Sequence, residues 1–270
     1  MTITTMDQLV TALSRTHQEL SVLFLSGTTA AGGHYNLNRH VSLANSWGTA
    51  AVVTAASDIM TGDAPGYPSL TAPAAGQTLY IARANLTPTN MGAIMIYDRI
   101  WARGGFVNNS TAAQAVTSFP ALPSTRAPSG GEGLEIWIEG QTTSGSTATN
   151  ATISYVNSAG VDGRTTPSTA LITSFGVGRM QRIPFQEGDT GVSAINSVTL
   201  SAANTAGAFA ITLLKRKCMI PLTQTYTGNP VDFAGLGLPA IDQDACLQFV
   251  LLPTTTTSGL TQGTVTVVAG

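Results

Sequence analysis

The feature that most restricts the fold of this chain is a succession of short runs rich in β-branched and aromatic residues, several of them bounded by Gly, Pro or Asn. Residues 78–83 and 93–101 are the first two, followed by 133–139, 152–157, 179–186, 194–200, 208–215, 247–252 and 264–268. Runs of this length with turn clusters between them, such as 157–160 and 187–191, predict strands of an antiparallel sheet. No self-similarity with a period of 20 to 50 residues is evident, which argues against a solenoid or a propeller. The expected fold is therefore mainly β, an antiparallel β-sandwich of jelly-roll-like type. Within 133–139, Leu134, Ile136 and Ile138 alternate with Glu135, Trp137 and Glu139. That alternation predicts one buried side and one wetter side.

The N-terminus reads differently. Thr5 and Gln8 match a capping box, and Met6, Leu9, Val10 and Leu13 recur at helical spacing, with Leu20 a further match. An amphipathic helix is expected over about 6–22, with 22–25 either its last turn or a first strand. Such a helix either packs on its own sandwich or docks on a neighbouring subunit. Residues 26–76 are rich in Gly, Ala, Thr and Pro and predict long loops, with short elements at most around 50–54. Residues 112–133 carry Pro120, Pro123 and Pro128 and read as an extended, stiffened loop or crossing arm. The domain reading is an N-terminal helix and loop-rich arm over 1–76 and a β-sandwich body over 77–270; one continuous domain fits as well.

Composition bears on what such a body would do. Hydrophobic residues make up 43% of the 270, but charged ones only 10%, against roughly 25% in typical soluble domains. Thr, Ser, Asn, Gln and backbone must then cover most of the surface. Neutral hydroxyls and amides cost less to desolvate than charges, which suits a surface to be covered by other subunits; a weakly charged secreted β-protein would share the composition. The net charge is -2, and the densest basic group, Lys215 to Lys217, closes an apolar run. That is no phosphate-tracking stripe, so nucleic-acid binding is not expected. Cys218 and Cys246 are too few for a disulfide framework and read as two core thiols, although a single bridge remains open. The first residues lack the basic and apolar regions of a secretion signal, and no run approaches 18 apolar residues. Cytoplasmic synthesis is expected, with no membrane partner.

No chemistry announces itself. There is no Gly-x-Ser-x-Gly elbow, Walker-type loop or dinucleotide fingerprint. The histidines are His17, His34 and His40; the last two are six apart in a Gly-rich loop, read as surface or hydrogen-bonded residues rather than ligands. Asp242 and Asp244 read as an acidic loop leading into a strand rather than a cation clamp. Glu135 and Glu139 stand about 13 Å apart on an extended strand rising about 3.3 Å per residue, beyond the roughly 5–9.5 Å of a glycosidase carboxylate pair. Trp47, Trp101 and Trp137 are dispersed and read as core residues. No cofactor, metal or catalytic residue is expected.

Three stretches carry a resemblance: 96–101 (Ile-Tyr-Asp-Arg-Ile-Trp), 151–165 (Ala-Thr-Ile-Ser-Tyr-Val-Asn-Ser-Ala-Gly-Val-Asp-Gly-Arg-Thr) and 184–201, beginning Pro-Phe-Gln-Glu-Gly-Asp-Thr-Gly. In pattern they resemble segments of virion structural proteins of tailed bacteriophages, over about residues 94–201. The resemblance implies a particle component, most like a capsid cement or decoration protein on the outer surface of the head. It implies as partners the major capsid protein and copies of the chain itself, a trimer being favoured. Candidate contact residues are Met6, Leu9, Val10 and Leu13 on the helix, Tyr35 and Tyr67 in the first loop region, and Phe119 and Leu122 in the second. The competing readings are a tail, baseplate or fibre-associated protein that binds a receptor or a carbohydrate, and a hydrolase with unfamiliar motifs.

Overall fold

The computed structural model describes residues 2–15, 17–39, 41–56 and 58–270, with the backbone alone over 41–45. It is mainly β, built from antiparallel sheets as the spacing of the runs predicts. By contacts the chain divides into two compact units: residues 1–50, 61–98 and 217–270 form the first, and residues 51–60 and 99–216 the second. Each has its own hydrophobic core.

The first unit is organised around one sheet. Its strands run in the order Asn229–Val231, Leu79–Pro88, Gly259–Ala269, Gln18–Ser26 and Val41–Asn45, with Ala240–Ile241 also paired to Leu79–Pro88. An unbroken ladder joins segments near the two ends of the sequence, from Gln18 opposite Val267 to Ser26 opposite Gly259. A second layer consists of Leu247–Pro253 between His34–Asn36 and residues 92–98. Leu20, Val22, Phe24, Val265 and Val267 of the first layer meet Ile94, Ile96, Leu247 and Phe249 of the second in one core. Phe24, Trp47 and Phe249 pack ring to ring with centroids 5.3–5.5 Å apart.

The helix is Met6–Ser14, not 6–22. Its start is as expected: the Thr5 hydroxyl accepts from the Gln8 amide, and Gln8 Oε1 accepts from the Thr5 amide at 3.1 Å. Residues 18–26 instead alternate, with Leu20, Val22 and Phe24 buried and Glu19, Ser21 and Leu23 exposed. Leu20 satisfies both periods. The ladder to Gly259–Ala269 selects the period of two, because only that period puts all three apolar side chains in the core. Leu9 and Ala12 bury themselves with Ile3, Tyr80, Ala82 and Val268 in a small separate cluster, so the helix packs on its own unit.

The second unit repeats the logic. One sheet orders Arg164–Thr165, Asn150–Asn157, Val192–Leu200 and Gln114–Ala115, with Thr169–Ala170 also on Asn150–Asn157. Leu134–Thr142 pairs with Arg179–Ile183 on one side and with residues 208–215 on the other. Ile153, Tyr155, Ile195 and Val198 face Leu134, Ile136, Ile138, Phe209 and Ile211 across the core. The outer strands of the first of these sheets are two residues long, which leaves little open edge for an unwanted strand to extend.

Three further expectations need correction. The supposed wetter face of Leu134–Thr142 is dry at Trp137 and Glu139, which are 2% and 0% exposed; the Glu139 carboxylate is 2.8 Å from the Arg99 guanidinium, which explains how a charge is tolerated there. The run at 208–215 continues as one strand to Leu222, so the Lys215–Lys217 group lies inside a strand rather than at its end. Short elements in the first loop region fall at His34–Asn36, Val41–Asn45 and Asp58–Ile59 and not at 50–54. Gly104 is where the strand Gly92–Val107 requires a missing side chain, since a Cβ there would sit 1.9 Å from the Val53 carbonyl oxygen.

Leu9→Ala should lower the stability of the chain by about 2–3 kcal/mol, the lower part of the range for core truncation because the cluster is small. Val10→Ala, one residue on and 57% exposed, should stay within about 0.5 kcal/mol of the parent. Urea unfolding of both variants checks this; equal losses would contradict the burial pattern.

Candidate functional site

A dense charged constellation lies in the second unit, around Asp189. The loop after Arg179–Ile183 brings Asp189 against Tyr155 and Asn157 of Asn150–Asn157 and against Arg164 of its short partner strand. Asp189 Oδ2 accepts from the Tyr155 hydroxyl at 2.5 Å and from Arg164 Nε at 2.9 Å; Oδ1 accepts from Asn157 Nδ2 at 2.8 Å and from Arg164 Nη2 at 3.1 Å. The Tyr155 hydroxyl in turn accepts from the Gln186 amide at 3.0 Å. Four donors on two oxygens use the full accepting capacity of a carboxylate.

The electrostatics follow. The Arg164 guanidinium, with help from Tyr155 and Asn157, holds the Asp189 carboxyl down at about 2 against its usual 3.8. Burial and the hydrogen bond to Asp189 push the Tyr155 phenol above its usual 10. Both shifts move away from neutrality, opposite to what a general base or acid working near pH 7 requires. The cluster acts as a latch that fixes the 184–191 loop to the sheet. The loop borders an open hollow of about 440 Å3, lined by Arg182, Phe185 and Gln186 among others.

The second concentration of charge is internal. Arg99 and Glu139 are 1% and 0% exposed, and Arg126, also buried, donates to the backbone oxygens of Met60 and Arg99. Arg126 thereby ties the irregular 112–133 segment to the strand beneath it. Neither this pair nor the Asp189 latch was apparent in the sequence. Tyr155, Arg164 and Asp189 occur in the stretches that carry the family resemblance, but nothing in their spacing shows that they converge.

Glu135 accepts from Trp137 Nε1 at 2.9 Å and lies 3.6 Å from Arg182. Asp242 Oδ1 caps the Asp244 amide at 2.9 Å in the turn before Leu247–Pro253. His17 lies 3.4 Å from Glu19, and His40 lies outside the described residues. Among the described residues no group of three His, Cys, Asp or Glu is placed to hold a metal ion. Both cysteines are buried thiols. Trp101 and Trp137 are core residues and Trp47 packs at the core margin.

The contact candidates separate into two groups. Met6 and Val10, 56% and 57% exposed, stand one turn apart on the outer side of the helix. Leu9, Tyr35 and Tyr67 are buried within the first unit, the Tyr35 hydroxyl accepting from the Ala30 amide. Leu13 is half-buried beside Leu9. Phe119 and Leu122 are half-buried against the core of the second unit, Phe119 with its ring 4.7 Å from that of Trp101.

No family model matches the chain, and none of the curated proteins does. Among solved structures it is similar to that of the infectious bursal disease virus Gx strain, at 10% identity over 94% of this chain and 81% of that one, with a TM-score of 0.19. It is also similar to the infectious bursal disease virus VP2 subviral particle, at 8% identity over 94% and 80%, again with a TM-score of 0.19. Scores of this size do not establish a shared fold.

The latch gives a signed pH dependence. Because the folded Asp189 titrates below its ordinary value, its contribution is complete above about pH 4 and is lost as the pH falls toward about 2. The stability gap between the parent and Asp189→Asn should therefore be wide at neutral pH and close on acidification over that window. A gap independent of pH in urea titrations would rule out the ionic latch.

Proposed function

We propose that this chain is a structural component of a tailed-phage particle, binding the outer surface of the head as a homo-oligomer, a trimer being favoured, and stabilising the lattice by contact with the major capsid protein. The observation that carries this reading is the nature of the surface. Of 12 basic and 14 acidic residues, Arg39, Arg99, Arg126, Asp98 and Glu139 are buried, so an already sparse set of charges is spent partly on the interior. What faces solvent is dominated by hydroxyl, amide and apolar groups, which lose little on being covered. The polar constellation that resembles a site most closely is a saturated latch.

The helix supplies a place for contact. Leu9 and Ala12 anchor it at home, which leaves Met6 and Val10 displayed on a fixed support. A protein bound only to the assembled lattice lowers the free energy of that state by RT ln(1 + [L]/Kd), so many modest contacts add up over a shell.

Particles carrying the protein should release their genome at a higher temperature than particles lacking it; identical release temperatures would remove the stabilising role. The double variant Met6→Lys, Val10→Lys should unfold within about 0.5 kcal/mol of the parent yet load poorly onto particles. Immunogold label confined to tails would favour the tail or fibre-associated reading instead.

A further inference from the structure

One end of the first unit gathers four loops which, with the strand ends that carry them, hold not a single charge. Residues 26–33, 84–92, 221–231 and 253–263 include no Asp, Glu, Lys or Arg. Their hydrogen bonds join them directly. The Tyr226 amide donates to the Pro88 carbonyl at 2.8 Å, Asn90 Nδ2 to the Ser258 carbonyl at 3.0 Å, and the Thr254 hydroxyl to the Met91 carbonyl at 3.0 Å. The Thr29 hydroxyl reaches the Thr255 and Thr257 carbonyls. Threonines 254–257 and Ser258 are all exposed.

Over this neutral, hydroxyl-rich end stands Tyr226, 78% exposed, with a backbone φ of 56°. A non-glycine residue holds such a φ only where its surroundings over-determine it, and such residues concentrate at ligand-holding sites. The surroundings here are Asn229, 6% exposed. Its Oδ1 accepts from the Thr223 and Gln224 amides, and its Nδ2 donates to the Leu86, Gln224 and Thr227 carbonyls. The loop is fixed before anything binds, and fixing a loop in advance removes part of the ordering cost of association. Beside it lies a hollow of about 170 Å3 walled by Pro221, Thr223, Gln224, Gly228 and Pro230.

We propose that this loop end binds a neutral saccharide, with the Tyr226 ring stacking on the apolar face of a sugar and the hollow beside it taking a neighbouring residue of the glycan. A sugar offers hydroxyl donors and acceptors together with a C–H face, which matches a surface of threonine hydroxyls, side-chain amides and one displayed aromatic ring. Small polar residues around an exposed tyrosine are also the composition of antibody binding loops. An anionic sugar would find no cation in these four loops, so the selectivity is for uncharged glycans. The proposal is independent of the head-surface reading.

The test is native electrophoresis of the full chain in gels cast with dextran, galactomannan or glycogen, with alginate as the anionic counterpart. At least one neutral polymer should retard the protein and alginate should not. Tyr226→Ala should weaken the retardation about tenfold or more, as expected for loss of an aromatic anchor, while Tyr226→Phe keeps it. Gln224→Ala, which alters the hollow and not the ring, should weaken it as well. The Met6→Lys, Val10→Lys variant should be retarded like the parent, which separates a failure here from a failure of the lattice reading. No retardation in any neutral gel, retardation in alginate alone, or a Tyr226→Ala variant that migrates like the parent in every gel would each overturn the proposal. So would a Tyr226→Ala variant whose only defect is loading onto particles, which would make the tyrosine a protein contact.

Discussion

In both units the inner face of each sheet is apolar and has to meet a second apolar layer, and the remaining features of the fold follow from that demand. The ladder between Gln18–Ser26 and Gly259–Ala269 holds Leu20, Val22 and Phe24 opposite Phe249 and Ile96. In the second unit, Ile153 and Val198 meet Ile138 and Ile211 in the same way. Full burial of each such side chain contributes about 1.5–3 kcal/mol, so the layers outweigh the capping and turn contacts around them. The helix follows the same logic at smaller scale, since its Leu9 and Ala12 cover Tyr80 and Val268.

Much of this was legible where one face of a strand is buried and the residues say so. The runs around Leu79–Pro88, Asn150–Asn157, Val192–Leu200 and Gly259–Ala269 reveal themselves by β-branched content and flanking turn residues. The segment 18–26 did not, because Leu20 lies in phase with the helix before it as well as with the strand it joins. A local pattern cannot choose between two periods when a partner more than 200 positions away decides the matter. The dry face around Trp137 and Glu139 was illegible for a related reason: a glutamate in an alternating strand ordinarily signals water, and only the presence of Arg99 reverses the inference. The division into two units was hidden because two of the four crossings between them, 98/99 and 216/217, fall inside strands, and the other two bracket only residues 51–60.

The candidate sites were less legible still. Asp189, Tyr155 and Arg164 belong to turn and strand motifs that are unremarkable one at a time, and their meaning arises from convergence on one carboxylate. Tyr226 gave no signal, since an exposed aromatic in a polar loop has no periodicity. Its significance comes from Asn229, which fixes the loop, and from three other loops that happen to be uncharged. A chain with so few charges places several of them inside, at Arg99, Glu139, Asp98 and Arg126, and leaves its surface largely to neutral groups.

The pairing of the first strand with the last sets the timetable of synthesis. Most of the second unit, residues 99–216, is a continuous stretch that leaves the ribosome well before residues 259–269 do. The edge of Gln18–Ser26 that Gly259–Ala269 will cover waits while more than 200 further residues are made, with Leu20, Val22 and Phe24 lacking Val265 and Val267. Contacts so distant in sequence form slowly and leave aggregation-prone intermediates. In a cell making many copies at once, neighbouring unfinished chains therefore compete for the same open edge, and yield should depend on expression rate more steeply than the stability of the finished protein suggests.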